Sequence, residues 1–358
     1  MKRFRLLLVN EFKLFRTAIP VHLIGIFQPA LMFSLMALIL VHPTFDMRIV
    51  HPTSLLGEDL VAAMDEVGSP IGTNYINTIL VDQDPSGELP GGQLIRVESI
   101  DGKPVAVQRF GFIDSNIIKN YRNRLTSAAL RLWNATLGGK AVTIEQRAWL
   151  PSDVPYSVYF GMAMLPLAAF LASSLIGAFL TAQEFEFNTI LEYRLSPVST
   201  FLILGTRLLR LCLTGWLSAT VLTVIIRCVV GVWPSSILGA SLIFLSMGLL
   251  GGCLGIAAGL ILRSTLPAFV IGLGSTFFTW ILGSAFGLSA GFGGAYEAVS
   301  RWMPNTYAVE LLFPLYYGVD IGPNRRAILV LCLACLVMIL LTSFIYRRRV
   351  LIRHGRQT

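Results

Sequence analysis

The sequence predicts an all-α membrane bundle of six transmembrane helices with an N-terminal interfacial helix, plus a small α/β extracytoplasmic domain inserted between the first and second spans. Three observations carry that expectation. Hydrophobic residues make up 54% of the 358-residue chain against 13% charged, and the mean hydropathy is +0.69, too apolar for a surface that meets only water. Apolar runs of about 20 residues, the length that crosses about 30 Å of hydrocarbon, recur along the chain. Charge is unevenly placed: residues 43–155 hold 10 Lys/Arg and 13 Asp/Glu, so the remainder carries +11 of an overall +8. That basic excess gathers at the ends of the apolar runs, as the positive-inside rule expects, and gives nucleic acid no support as a partner.

The first element is the interfacial helix, residues 1–18. On a helical wheel Phe4, Leu7, Leu8, Phe12 and Phe15 share one side while Lys2, Arg5, Lys13 and Arg16 gather on the other. Such a helix suits the surface of an anionic leaflet, with Phe4, Leu8 and Phe15 in the acyl boundary and Arg5 and Arg16 at the headgroups. Glu11 interrupts the apolar side, and a basic flank of the first span is the plainer alternative. No small-residue cleavage site follows the next apolar run, so the segment does not read as a removed signal peptide.

The spans fall near residues 19–41, 156–182, 198–230, 237–262, 266–287 and 327–346. Six crossings place both termini on one side, and the basic residues 2–16 together with the basic tail 347–358 make that side cytoplasmic; a bacterial inner membrane is the expected location. Arg207, Arg210 and Arg263 then fall at cytoplasmic ends, whereas Arg227, Arg325 and Arg326 lie near outer ends and are expected to snorkel to the headgroups.

Residues 42–155 are therefore expected outside. INTILVDQD, GGQLIRVES and KPVAVQRF read as strands separated by turn residues, and a helix follows with Asp114 or Ser115 as its cap. No cysteine occurs there, so the domain needs its own apolar core. Asn134-Ala135-Thr136 matches a glycosylation triplet in form, but its place on an expected helix makes chance the better account. The outer connection 288–326 is too apolar for a free loop and is broken by Gly and Pro, which reads as one or two short helices packed against protein. Trp302, Tyr307, Tyr316 and Tyr317 would stand in an aromatic belt.

Within the spans, Gly251, Gly255 and Gly259 repeat at four-residue spacing, a face for close helix packing. Phe160, Met162 and Met164 with Phe277, Phe278 and Trp280 could line a greasy translocation pathway, though core or lipid-facing placement serves them equally. The five cysteines all lie in spans, and Cys332 and Cys335 read as packing residues rather than a redox or metal pair. No GxxxxGK[ST], HExxH or GxSxG is present, and the four histidines are scattered. Neither a nucleotide site, a metal site nor enzyme activity is expected in this chain. There is no dense set of intramembrane ionisable residues of the kind proton-coupled pumps use.

One connection departs from the apolar background: AQEFEFNTILEYRLSPVS, residues 182–199. Each carboxylate would cost about 2.5 to 3.5 kcal/mol at a bilayer centre, so Glu184, Glu186 and Glu192 with Arg194 belong in the cytoplasm. Without Gly or Pro from Glu184 to Leu195, a helix running out of the second span is expected to persist until Pro197 ends it. An ordinary solvated connector is the plain alternative. A rigid charged helix rooted in a span could instead carry a push from a soluble partner.

This stretch resembles the signature between the second and third spans of type-2 ABC exporter permeases. Glu184, Glu186, Thr189, Pro197, Val198 and Ser199 match, and Leu195 or Leu191 serves as the apolar position; Asn188 stands where the family usually has Gly, and Gln183 where it usually has a basic residue. The order of elements along the whole chain is similar to the drug or lipid exporter branch, which carries a large external domain. The resemblance implies a permease working as a homodimer or a heterodimer with a similar permease, with two copies of a cytoplasmic ABC ATPase that binds ATP and Mg. It implies ATPase coupling through Glu184, Glu186, Thr189, Leu191, Arg194 and Pro197 in segment 183–197, and export of an amphipathic or hydrophobic substrate such as a drug, lipid or natural product. Two other classes remain open at this point, an ATPase-independent channel or scaffold and a lipid-modifying membrane enzyme.

Overall fold

The structure is a computed structural model, and it describes residues 7–9, 11, 13, 19–40, 45–50, 55–68, 74, 76–81, 93–100, 103–110, 115–136, 156–195, 198–283, 285, 294–318 and 324–350. The chain divides into two compact units, one comprising Met1–Leu40 and Tyr156–Thr358, the other Val41–Pro155.

In the first unit, six helices among the described residues are long and apolar enough to cross a membrane. They are α1 (Ile19–Leu40), α4 (Tyr156–Glu186), α6 (Thr200–Val230), α7 (Ile237–Leu262), α8 (Thr265–Leu282) and α11 (Arg325–Val350). Their ends follow local chemistry. Ser199 and Ser236 cap α6 and α7 by accepting from the Leu202 and Gly239 amides, and Gly231 closes α6 with φ 81°, a left-handed conformation that glycine adopts without steric cost. The fifth span is shorter than the expected 266–287. Its helix stops at Leu282 because Gly283 turns its carbonyl to Asn305, whose side-chain amide donates to it at 2.6 Å.

The six helices are not equivalent. In α4, 94% of the most apolar stretch is buried inside the protein, against 11% in α11, so α4 is the axis and α11 a peripheral helix. α4 packs on α1, α6, α7 and α8 and on the short α10 (Pro304–Tyr317). Its contact with α7 is backbone to backbone. A Cβ at Gly251 would lie 2.3 Å from the Phe170 carbonyl oxygen, one at Gly255 2.3 Å from that of Ser174, and one at Gly259 2.8 Å from that of Ala178. The four-residue glycine repeat of α7 thus meets a four-residue repeat of α4 carbonyls. Ser173 and Ser174 satisfy their hydroxyls on the carbonyls of Leu211 and Gly272, so polar side chains of α4 are spent on neighbouring helices.

The 288–326 connection contains two short helices, α9 (Gly294–Ser300) and α10. Pro304 starts α10 and Gly318, at φ 65°, ends it. Tyr307 and Tyr316 are buried rather than displayed in a belt; Tyr307 donates to the Arg301 carbonyl at 2.7 Å, and Tyr316 lies 3.4 Å from the Thr223 hydroxyl. Trp302 is exposed.

The second unit holds a four-stranded sheet in the order β2-β1-β3-β4, made of β1 (Phe45–Val50), β2 (Ile76–Val81), β3 (Gln93–Ile100) and β4 (Lys103–Phe110), with α2 (Leu55–Asp65) and α3 (Ser115–Thr136). β1 runs parallel to both β2 and β3, while β3 and β4 form an antiparallel hairpin. β1 and α2 were not among the expected elements. β1 alternates Met47 and Ile49, both buried, with Asp46 and Arg48, and its two inward residues join Leu60, Met64, Ile76 and Ile95 in the core.

Candidate functional site

The connection after α4 folds as an elbow, not as the single continuous helix expected from its lack of Gly and Pro. α4 ends at Glu186 and a separate turn, α5, covers Ile190–Leu195. Between them Asn188 takes φ 55°, the left-handed region, which Asn tolerates better than most side chains. The Phe187 amide still bonds the Gln183 carbonyl at 2.9 Å, and then the Leu191 and Glu192 amides restart the helix on Asn188 and Thr189 at 3.2 and 3.0 Å. The Thr189 hydroxyl reaches the Glu184 carbonyl at 3.5 Å.

Successive residues on an α-helix are turned by about 100°, so Glu184 and Glu186 point about 200° apart. Glu184 faces inward, against the expectation that all three carboxylates of the segment stand in the cytoplasm. Its side chain is 14% exposed and its Oε1 lies 2.5 Å from Arg207 Nη2, while Arg207 itself is 4% exposed. Arg207 Nε is also 3.5 Å from Glu11 Oε1, and Arg210 Nη1 is 3.3 Å from Glu11 Oε2. Arg210 donates as well to the main-chain carbonyl of Glu11 at 3.1 Å. Two cations and two anions thus neutralise one another away from water, the condition under which buried charge is tolerable.

Aromatic and apolar groups surround this network. The Arg207 guanidinium lies 4.5 Å from the Tyr193 ring centroid and 5.8 Å from that of Tyr346. Burial raises the Tyr193 phenol above its ordinary value, against the lowering influence of Arg207, so the ring meets the cation protonated. Ile190, Leu204, Leu208 and Tyr346 belong to the same apolar cluster, with Leu7 and Phe185 packed against it. A small cavity of about 10 Å³, the room one water needs, is lined by Glu11, Glu184, Arg207 and Arg210.

Glu186 faces the other way, towards α8. Its Oε1 accepts the Thr265 amide at 2.7 Å, and its carboxylate oxygens accept the Thr265 hydroxyl at 3.1 and 3.0 Å. It takes the place of the N-cap side chain, since Ser264 makes no capping bond to α8. Between the two carboxylates Phe185 packs under Arg263, whose guanidinium is 5.2 Å from the ring centroid and whose backbone, at φ 57°, closes α7.

Beyond the elbow's attachments its outward surface is apolar. Phe187 is 67% exposed, Leu191 48% and Leu195 87%. Leu191 and Leu195 share one face of α5, Phe187 stands just before the break at Asn188, and Asn188 and Glu192 are exposed beside them. Of the remaining residues expected here, the Arg194 side chain and Pro197 lie outside the described residues. In the N-terminal segment Leu8 is helical and half-buried, while Phe4, Arg5, Phe15 and Arg16 lie outside the described residues.

The aromatic and Met residues considered for a pathway are partly brought together. Phe160 and Phe277 meet Trp280 edge to face at 6.0 and 6.2 Å, and Trp280 Nε1 donates to the Ala163 carbonyl at 3.0 Å. Met162 and Met164 are buried in α4, and Phe278 is exposed on the far side of α8. The residues missed from sequence are Glu11, Arg207, Arg210, Tyr193 and Tyr346. Two arginines three positions apart inside an apolar helix, and one carboxylate in an otherwise basic and apolar terminus, were the available signal, because ionised groups at membrane depth need partners.

The model of the ABC-2 family transporter proteins matches residues 75–344, three quarters of the chain and the whole of the elbow. The chain belongs to the ABC-2 transporter family. It is accordingly a multi-pass membrane protein and a transmembrane component of an ABC transporter, in a family that generally works with an ABC ATPase. No curated protein and no solved structure matched the chain.

Proposed function

We propose that this ABC-2 family chain is the permease subunit of an ATP-driven exporter, and that the elbow is where a separate ATPase drives it. The observation that supports this reading best is the exposure of three large apolar side chains, Phe187, Leu191 and Leu195, on a segment tied to the bundle by Glu184 and Glu186. An apolar surface held rigidly at the charged end of the spans suits a protein groove better than free solvent. In this reading Leu191 and its neighbours make the contact, Glu184, Glu186 and Thr189 hold the elbow's shape, and Arg194 and Pro197 complete the segment.

The basic ends of α11 and of the N-terminal segment support a cytoplasmic side for the elbow and both termini, and with it an external domain of residues 42–155, in a bacterial inner membrane. In this reading the N-terminal segment, expected to carry Phe4, Arg5, Leu8, Phe15 and Arg16 on an interfacial helix, rests on the inner leaflet. Two ATPase copies, binding ATP and Mg, act on this permease and a second one, identical or homologous. An amphipathic or hydrophobic substrate, a drug, lipid or natural product, then leaves along the interface between the permeases, with Phe160, Met162, Met164, Phe277, Phe278 and Trp280 as the candidate pathway residues.

The test is co-purification of the native complex from membranes, followed by Leu191→Asp paired with Phe187→Ser. The expected result is an ATPase bound to the wild-type permease and lost from the variant, with insertion of the permease unchanged. A wild-type permease that carries substrate without any ATPase would overturn the reading in favour of a channel.

A further inference from the structure

Arg207 hydrogen-bonds Glu184 through Nη2 at 2.5 Å, stands at ion-pair distance from Glu11 through Nε at 3.5 Å, and is flanked by Tyr193 of the elbow itself. Arg210 already serves Glu11 twice, through the carboxylate at 3.3 Å and the main-chain carbonyl at 3.1 Å, so Glu11 does not need Arg207 for neutrality. What Arg207 adds is a shared attachment. Its planar guanidinium can hydrogen-bond Glu184 through one edge and keep Nε within ion-pair range of Glu11 while the tyrosine ring covers it, a spread that a compact ammonium cannot match. Ion pairs this deeply buried are seldom better for stability than apolar packing, so their use is better sought in fixing one arrangement.

We propose that Arg207 is the positioning residue of the elbow, joining the helical segment around Glu11 to the α4–α5 corner so that the two move as one body. Through this joint a displacement at the elbow is delivered to the N-terminal segment as well as to α4, and α6, which carries Arg207, moves with both. The proposal rests on the reading of the elbow as the site of ATPase coupling for its functional consequence, but its structural content stands apart from that reading.

The experiment uses the full-length permease in lipid nanodiscs without its ATPase and follows amide hydrogen exchange of residues 7–13 and 187–195. Arg207→Lys keeps the charge, so a residue serving only neutrality would leave both segments protected. The expected result is faster exchange, by about tenfold, in both segments together, and the same paired response in Glu11→Gln. Loosening of residues 7–13 alone in Glu11→Gln, or no change in either variant, would overturn the proposal. Should Arg207→Lys fail to insert, Glu11→Gln decides the matter with the same two readings. In the complex with its ATPase, Arg207→Lys is then expected to keep ATP hydrolysis and lose transport per ATP. Paired loosening with transport per ATP unchanged would leave the positioning role standing and remove the coupling reading; unchanged exchange removes the positioning role whatever happens to transport.

Discussion

Glu184 and Glu186 belong to one short acidic motif, yet the first is held against Arg207 inside the bundle while the second reaches an exposed contact at the start of α8. One neutralises buried charge and the other replaces a missing helix cap. The difference shows that the x in E-x-E carries structural meaning: a single intervening residue sends two like groups to opposite sides of a helix end. It also shows that an acidic motif in a connection can be an internal fastening, with the outward contact left to its apolar neighbours.

The comparison is broken most severely at Arg207. Arg207→Met leaves Glu184 buried without its cation and is expected to cost about 3–5 kcal/mol of stability, read as a lowered unfolding midpoint in detergent micelles. A smaller effect is expected at the corner between the two sides. Asn188→Val forces a β-branched residue into the left-handed region and should cost about 1–2 kcal/mol in the same assay, whereas Asn188→Gly should be tolerated. The smallest is expected at Glu186. Glu186→Gln retains an acceptor for the Thr265 amide, so the unfolding midpoint should stay at the wild-type value while amides in the first turn of α8 exchange faster. An Arg207→Met variant no less stable than Glu186→Gln would erase the distinction between the two sides.

The spans were readable because about 20 apolar residues in a row have few alternatives to crossing a membrane, and the charged ends merely let the helices continue past the hydrocarbon, as α11 does from Arg325 to Val350. β2, β3, β4 and α3 were readable from alternation and turn residues. The elbow's break was not, because Asn188 adopts its left-handed backbone without Gly or Pro to announce it. Glu184's inward orientation was hidden for another reason: its partner lies 23 residues away on a different helix, and Glu11 is farther still. Local pattern reports propensity and amphipathicity, while such long-range pairing is settled only when the helices pack. β1 was not legible because its six residues, with Met47 and Ile49 alternating, give too short a pattern to announce a strand before the core is packed.

The glycine seam between α4 and α7 has a mechanical corollary. With Gly251 and Gly255 admitting no side chain against the carbonyls opposite, neither helix has slack to roll or slide past its mate. The two helices form a keel, and α11, with only 11% of its most apolar stretch buried inside the protein, is the plank with most room to shift against it.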